Sequence, residues 1–392
     1  LSFDFDRILP RAGTGSVKWD GRRGYFGTED VLPLWVADMD FAAPEAVTRA
    51  LAERAVHPVY GYSLFPDSVY DALIAWMKSR HGWEIERDWI LMAPGVVPSL
   101  HAAVLAFTGA GEGVIVQPPV YFPFFSSVTV PGRRLVENPL IEMDGRYRMD
   151  LAHLEACAAR PDTRLLLLCS PHNPVGRVWG TGELRDVLAI ARRHGLVVLS
   201  DEIHHDLVYP GERHTPLALL AEAPDLVVSA VAPSKTFNIP GLGLSALIVP
   251  DAGQREKLRR AFDLLHVTGA NPFSIAAFSA AYREGGPWLD ALLGYLARNR
   301  DAAIAFFAEH LPAIRPTHPQ GTYLLWLDCR GLGLDDAALR RFFVEEARVG
   351  MNPGTVFGAG GSGFMRLNLG APRSLVMEAL GRMAQAWSRL GK

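Results

Sequence analysis

Arg164-Leu-Leu-Leu-Leu-Cys-Ser-Pro-His-Asn-Pro-Val-Gly176 is an apolar run that breaks into a Pro/Asn/Gly turn. Consecutive apolar residues without polar alternation suit a strand covered on both faces, and the Ser-Pro and Asn-Pro pairs then turn the chain at its carboxyl end. The same arrangement occurs twice more. Residues 196–200 run into Asp201-Glu-Ile-His-His-Asp206, and residues 226–231 run into Ala232-Pro-Ser-Lys-Thr-Phe-Asn238. Residues 89–92, 113–117 and 244–249 read as further strands, with helical patterns at 98–107 and at 183–194, the latter following a capping Thr181 and ended by Gly195. Strand and helix alternating in this way predict an α/β fold with a largely parallel sheet covered on both faces, whose ligands sit outside the carboxyl ends of the strands. This large domain is expected over residues 46–284. Beyond 285 a long amphipathic helix (288–311), separated strands (323–327 and 365–369) and a closing helix predict a smaller α+β domain of residues 285–392. Residues 1–45, which lack a clear period, are expected to join it and run along both.

Composition narrows the function. At roughly 150 residues per domain, 392 residues make two to three units, and 49% hydrophobic with 21% charged residues can bury a large core. The net charge of -3 offers no basic field for nucleic acid and no anchor for anionic lipid. Purely aliphatic stretches such as 165–168 are far shorter than the roughly 20 residues of a membrane span. An N-terminus carrying Asp4 and Asp6 without an apolar core does not read as a signal peptide. Cys157, Cys169 and Cys329 are odd in number and lack metal-ligand spacing, so reduced core thiols in a cytoplasmic protein are expected.

Arginine carries nearly all the basic charge; the only lysines are Lys18, Lys78, Lys235, Lys257 and Lys392. Four of them are read as polar, helix-surface or terminal. Lys235 instead follows a buried-looking strand in a Gly/Pro-bounded apolar setting, which favours the neutral amine that a Schiff base needs. Three successive strand ends thus present an amide (Asn173), a carboxylate (Asp201) and an amine (Lys235). Pyridoxal phosphate requires that set: an amine for its aldehyde, a carboxylate for its ring nitrogen and a donor for its phenolate oxygen. Gly95-Val96-Val97 precedes a helix begun by Pro98, so backbone amides there can cradle a phosphate, and Tyr121 can stack on a ring. A metal site built from Asp201, His204, His205 and Asp206 is not expected, because these residues need not converge and no Cys or further His motif supports them. Gly358-Ala-Gly-Gly-Ser-Gly363 has no following Gly-Lys-Ser/Thr and is read as a loop near Arg366. In the run Tyr121–Phe125, only Tyr121 is assigned to the cofactor.

Ser234-Lys-Thr-Phe-Asn238, Ser170-Pro-His-Asn-Pro-Val-Gly176 and Asp201-Glu-Ile-His204 resemble the fold-type-I pyridoxal-phosphate enzymes, the aspartate aminotransferase superfamily. Within it, Phe3-Asp-Phe-Asp6, Lys18-Trp-Asp20, Leu34-Trp-Val-Ala-Asp-Met-Asp-Phe41, Tyr60-Gly-Tyr62, Pro287-Trp-Leu-Asp290 and Arg366-Leu-Asn368 are most similar to the MalY/PatB-type cystathionine β-lyases, or C–S lyases. The resemblance implies a fold-type-I large domain with a mostly parallel seven-stranded sheet. It implies Lys235 as the covalent cofactor link, Asp201 at the ring nitrogen, Asn173 at the phenolate oxygen and Tyr121 on the ring face. Ser234 and the amides of Val96 and Val97 would take the phosphate. His204 would also contact the cofactor, standing where aminotransferases carry Tyr, and Gly243 stands where they carry Arg. Arg366 would clamp the substrate carboxylate, with Asp38 and Asn173 beside it. Tyr62 would reach the phosphate of the neighbouring subunit in a homodimer. The implied reaction on a small amino-acid substrate is α,β-elimination from a cysteine thioether such as cystathionine, giving pyruvate, ammonia and a thiol. An aminotransferase is the alternative, and a cofactor-bound regulatory partner protein the third reading.

Overall fold

The computed structural model describes residues 3–267 and 271–390. Its centre is a seven-stranded sheet built from β1 (Ile90–Ala93), β2 (Gly113–Val116), β3 (Arg134–Glu137), β4 (Thr163–Cys169), β5 (Val197–Asp201), β6 (Val227–Val231) and β7 (Ser245–Ile248), ordered β1-β7-β6-β5-β4-β2-β3. β4 is buried along nearly its whole length, as its unbroken apolar run requires. The sheet is mostly parallel. Two departures stand out from the sequence reading: β7 runs antiparallel to both β1 and β6, and β3 is an additional edge strand whose charged ends hide its strand character. The register pairs Cys169 with Asp201 and Asp201 with Ala230, so the turns that follow β4, β5 and β6 open side by side at one edge.

Helices cover both faces. Before the sheet lies α1 (Asp67–His81); α2 (Val96–Phe107) begins immediately after β1. α3 (Thr181–His194) buries Leu184, Val187, Leu188, Ile190 and Ala191 on one stripe and ends at Gly195, whose φ of +66° suits glycine. Its cap is Gly180 rather than Thr181: the Glu183 carboxylate accepts the Gly180 amide at 2.9 Å, and Thr181 is already helical. α4 (Pro233–Thr236) is a single turn that carries Lys235.

The second sheet is β8 (Arg315–Pro316), β9 (Leu324–Asp328), β10 (Asn352–Pro353) and β11 (Phe364–Asn368), ordered β8-β9-β11-β10. Helix α5 (Gly286–His310) bridges two cores. Trp288, Leu289 and Leu292 pack with Phe5, Met39 and Phe41, whereas Ala303 and Phe307 pack with Leu325, Leu327 and Leu367. α6 (Arg373–Arg389) closes the chain's described part. Among the described residues no helix is long and apolar enough to cross a membrane.

The segment before residue 46 is held by charge as well as by apolar contact. Lys18 is fully buried, not surface-exposed as its polar neighbours suggested: its Nζ donates to Asp40 Oδ2 at 2.6 Å and to the Asp38 carbonyl at 3.3 Å. Arg11 forks onto both oxygens of Asp38 at 2.9 and 2.8 Å and donates to Asp40 Oδ1 at 2.7 Å, where the Trp19 indole also donates. Removing one partner of a buried ion cluster leaves uncompensated charge, so Lys18→Ala is expected to cost about 3 kcal/mol in urea unfolding. Lys78→Ala, which breaks only an exposed pair with Glu84, is expected to leave the unfolding midpoint essentially unchanged.

Candidate active site

The turns after β4, β5 and β6 and the start of α2 line a cleft with a volume of about 200 Å³. Val96, Val97, Tyr121, Asn173, Asp201, His204, Ser234 and Lys235 all line it. Lys235 is set by Pro233, which starts α4 directly after the strand, and by Phe237, which is fully buried behind it. Its amine donates to the Ala37 carbonyl at 2.5 Å. Desolvation lowers the amine to about 8; the positive charge of Arg366 adds to this, and Asp38 and Asp201 oppose it.

Asp201 ends β5 with its carboxylate buried and, among the described residues, only the Ile203 amide donating to it, at 3.1 Å. Burial pushes it up to about 7, helped by neighbouring Glu202. A carboxylate so poorly solvated favours a cationic or N–H partner in the cleft. His204 is buried with Nδ1 unpartnered, and desolvation holds it well below the usual imidazole range, hence neutral. Tyr121 sits half-buried over the cleft, its amide donating to the Asn173 carbonyl at 3.1 Å. The amides of Val96 and Val97 open α2 and have no intrahelical acceptor, which makes this twelve-residue helix end receptive to an anion.

Arg366 projects from β11. It is buried, donating from Nη1 to Asn173 Oδ1 at 3.0 Å and from Nη2 to the Trp35 carbonyl at 3.0 Å and Asn352 Oδ1 at 2.8 Å. Its Nε is unpartnered, and no carboxylate pairs with it among the described residues. Burial lowers the guanidinium to about 10, leaving it charged and without a counter-anion at neutral pH. Three of the expected site residues lie outside the cleft lining: Arg366 itself, joined to it by its bond to Asn173, and two others. Asp38 turns its carboxylate to Arg11, outside the cleft lining, and Tyr62 stands fully exposed, away from its own chain's cleft.

Other contributors were not legible in advance. Tyr323 donates its hydroxyl at 2.7 Å to the same Ala37 carbonyl that receives Lys235. Asn238, at φ +55°, accepts the Met39 amide and donates to the Met39 and Phe41 carbonyls, each at 2.8 Å, and so ties residues 39–41 to the lysine turn. Asn352 and the Trp35 carbonyl hold Arg366. His204 faces the cleft while His205 and Asp206 do not line it, so the four residues of the Asp201–Asp206 turn do not form one cluster.

Residues 29–383 match the family model for aminotransferase class I and II. The chain belongs to that family. Within the family it is 45% identical to cystathionine beta-lyase PatB of Bacillus subtilis, over 98% of this chain and 100% of the relative. It is 34% identical to the protein MalY of Escherichia coli, with 98% of each chain covered. Among solved structures it superposes on cystalysin of Treponema denticola, which contains a pyridoxal 5'-phosphate cofactor, with TM-score 0.97 at 37% identity and with both chains fully covered. The donor set fits that cofactor: an amine in a desolvated setting, a buried carboxylate with a single amide donor, an open helix end and, joined to them through Asn173, a buried arginine that pairs with no carboxylate among the described residues.

The cleft's unpaired groups should be measurable as lost stability. Between the ordinary 3.8 of an aspartate and about 7, folded Asp201 holds a proton that the unfolded chain has released, so its contribution falls as pH rises through that window. Lys235 acts oppositely at higher pH: between about 8 and 10.5 the unfolded chain holds the extra proton, and stability rises with pH. In cofactor-free protein, Asp201→Asn is therefore expected to exceed the parent by on the order of 3 kcal/mol at pH 8 and by little at pH 4, measured by urea unfolding. A pH-independent difference would show that Asp201 is not desolvated.

Proposed function

We propose that the protein is a pyridoxal-phosphate-dependent carbon–sulfur β-lyase acting on cysteine thioethers of the cystathionine class. The observation that carries this reading is the meeting of Lys235, Asp201 and Asn173 in one cleft, with the buried Arg366 joined to it through Asn173, in a chain 45% identical to a cystathionine beta-lyase. Pyridoxal phosphate, when bound, supplies a sink for the electron pair left at the substrate α-carbon. Asp201 would hold its ring nitrogen, Tyr121 its face, Asn173 and His204 its phenolate oxygen, and Ser234 with the Val96 and Val97 amides its phosphate.

Arg366 grips the substrate α-carboxylate as a planar fork, oriented by Asn173, Asn352 and the Trp35 carbonyl. With its amine lowered to about 8, Lys235 is partly neutral at pH 7 and takes the α-proton at Nζ, a step in which a positioned base contributes about 10² to 10⁴ in rate. The Ala37 carbonyl then accepts from the resulting ammonium. Loss of the β-thiolate and hydrolysis leave pyruvate, ammonia and a thiol.

The fully exposed Tyr62 supports a homodimer in which this residue reaches the phosphate of the neighbouring subunit. We assign residues 46–284 to the cofactor-binding domain and residues 1–45 with 285–392 to the smaller one, and the cytoplasm as the site of action.

Purified protein given cystathionine without any keto acid is expected to release pyruvate, whereas amino transfer that requires a keto acid would make it an aminotransferase. Arg366→Lys keeps the charge but loses the fork, and is expected to raise KM about 10- to 100-fold. Co-expressed Lys235→Ala and Tyr62→Ala chains, each inactive alone, are expected to recover activity in heterodimers that hold one intact site. Verified heterodimers without activity would return Tyr62 to its own subunit.

A further inference from the structure

Outside the cleft lining lies a buried polar hub that the proposed chemistry does not use. Its centre is Asp206, five residues beyond Asp201. The carboxylate accepts the Trp76 indole N–H at 3.1 Å and His81 Nε2 at 2.8 Å on one oxygen, and the Thr236 hydroxyl at 2.8 Å on the other. His205 Nε2 stands 3.1 Å from that second oxygen. Every one of these side chains is buried. Around them Glu202 accepts His214 Nε2 at 3.0 Å and the Leu217 amide at 3.0 Å, and the His214 ring meets those of His81 and His205 edge-on.

His81, His205 and Asp206 lie close enough to share an ion. Two features argue for a hydrogen-bond hub instead. Trp76 and Thr236 already aim donors at the carboxylate, and the His81 and His205 rings stack at 4.4 Å and 27° rather than fanning about a common point.

The hub touches the active site through its neighbours in the chain. Thr236 follows Lys235, and Asp206 closes the turn that begins at Asp201. Trp76 and His81 anchor the same carboxylate to α1. An apolar cluster would fill this space without direction, whereas a buried carboxylate with three donors fixes the relative placement of three elements.

We propose that Asp206 is a positioning residue: through the Thr236 hydroxyl it holds the Lys235 turn at a fixed spacing from the Asp201 strand end. The proposal rests on the reading of Lys235 and Asp201 as cofactor ligands. The amine and the carboxylate must engage opposite parts of one rigid ring, and a shift of about 1 Å between them would cost up to about 100-fold in rate.

The test uses Thr236→Val, which deletes the donor at nearly constant volume, and Thr236→Ser, which restores it. The rate at which cofactor-free protein takes up pyridoxal phosphate is followed by visible absorbance, beside kcat and KM for pyruvate formation and the melting temperature. Thr236→Val is expected to take up cofactor about tenfold more slowly and to lose about tenfold in kcat with KM within about twofold, and Thr236→Ser to return both rates to within about twofold of the parent. Asp206→Asn, checked for folding by circular dichroism, should move the same way. Parent-like uptake and kcat in Thr236→Val, whatever its melting temperature, would reduce the hub to a stabilising role, and failure of Thr236→Ser to rescue would assign any loss to shape. If the parent takes up cofactor on Lys235 but makes no pyruvate from thioethers, the lyase reading fails while uptake rates still decide the clamp. A parent whose cofactor is not on Lys235 would overturn both.

Discussion

Asp40, buried between the Lys18 ammonium, the Arg11 guanidinium and the Trp19 indole, holds residues 35–41, from which Ala37 lines the cleft. Desolvating these charges is costly unless each meets its partners, and here both oxygens of the carboxylate are occupied. The loop pinned in this way offers the Ala37 carbonyl to Lys235 and Tyr323 and the Trp35 carbonyl to Arg366. Two asparagines complete the attachment: Asn238 bonds residues 39 and 41, and Asn368 donates to the Val36 and Asp38 carbonyls at 2.7 Å each. Both cations of the site therefore take their positions from a segment that itself has no regular secondary structure.

Charge is treated differently in the support and in the cleft. Asp40, Asp206 and Glu202 are buried, multiply bonded and held below the ordinary carboxylate range once their partners outweigh burial. Asp201 is buried with a single amide donor and moves the other way. Arg366 keeps an unpartnered Nε, and His204 an unpartnered Nδ1. Such incomplete satisfaction destabilises the free protein and is repaid by a ligand that completes it, which is why binding groups and stability optima diverge at functional sites.

Rigid backing makes this arrangement workable. The parallel register of β4, β5 and β6 sets Asn173, Asp201 and Lys235 at one edge of the sheet, and α5 spans the two apolar cores. Arg366 comes from the other sheet, through its bond to Asn173. Arg366 and the set of Asn173, Asp201 and Lys235 thus belong to different layers, and their meeting depends on how the two sheets pack.

What was readable from the chain is what local physics controls. The unbroken apolar run at 165–169 suits a strand buried on both faces, Gly195 suits a helix end, and a polar residue placed just beyond a buried strand opens at a sheet edge, so Asn173, Asp201 and Lys235 were identifiable as a set. Local signals do not report which side chains meet across long separations. Lys18 looked exposed because its partner Asp40 is 22 residues away, Tyr323 read only as the start of a strand because its acceptor lies 286 residues earlier, and the Trp76–Asp206 contact joins residues 130 apart. The antiparallel β7 and the edge strand β3 were likewise settled by pairing rather than by propensity. Periodicity and turn chemistry act over a few residues and determined the elements and their chemically loaded ends; the burial of charge and the attachment of residues 35–41 beside the cleft need partners from distant segments, and only the tertiary structure supplies them.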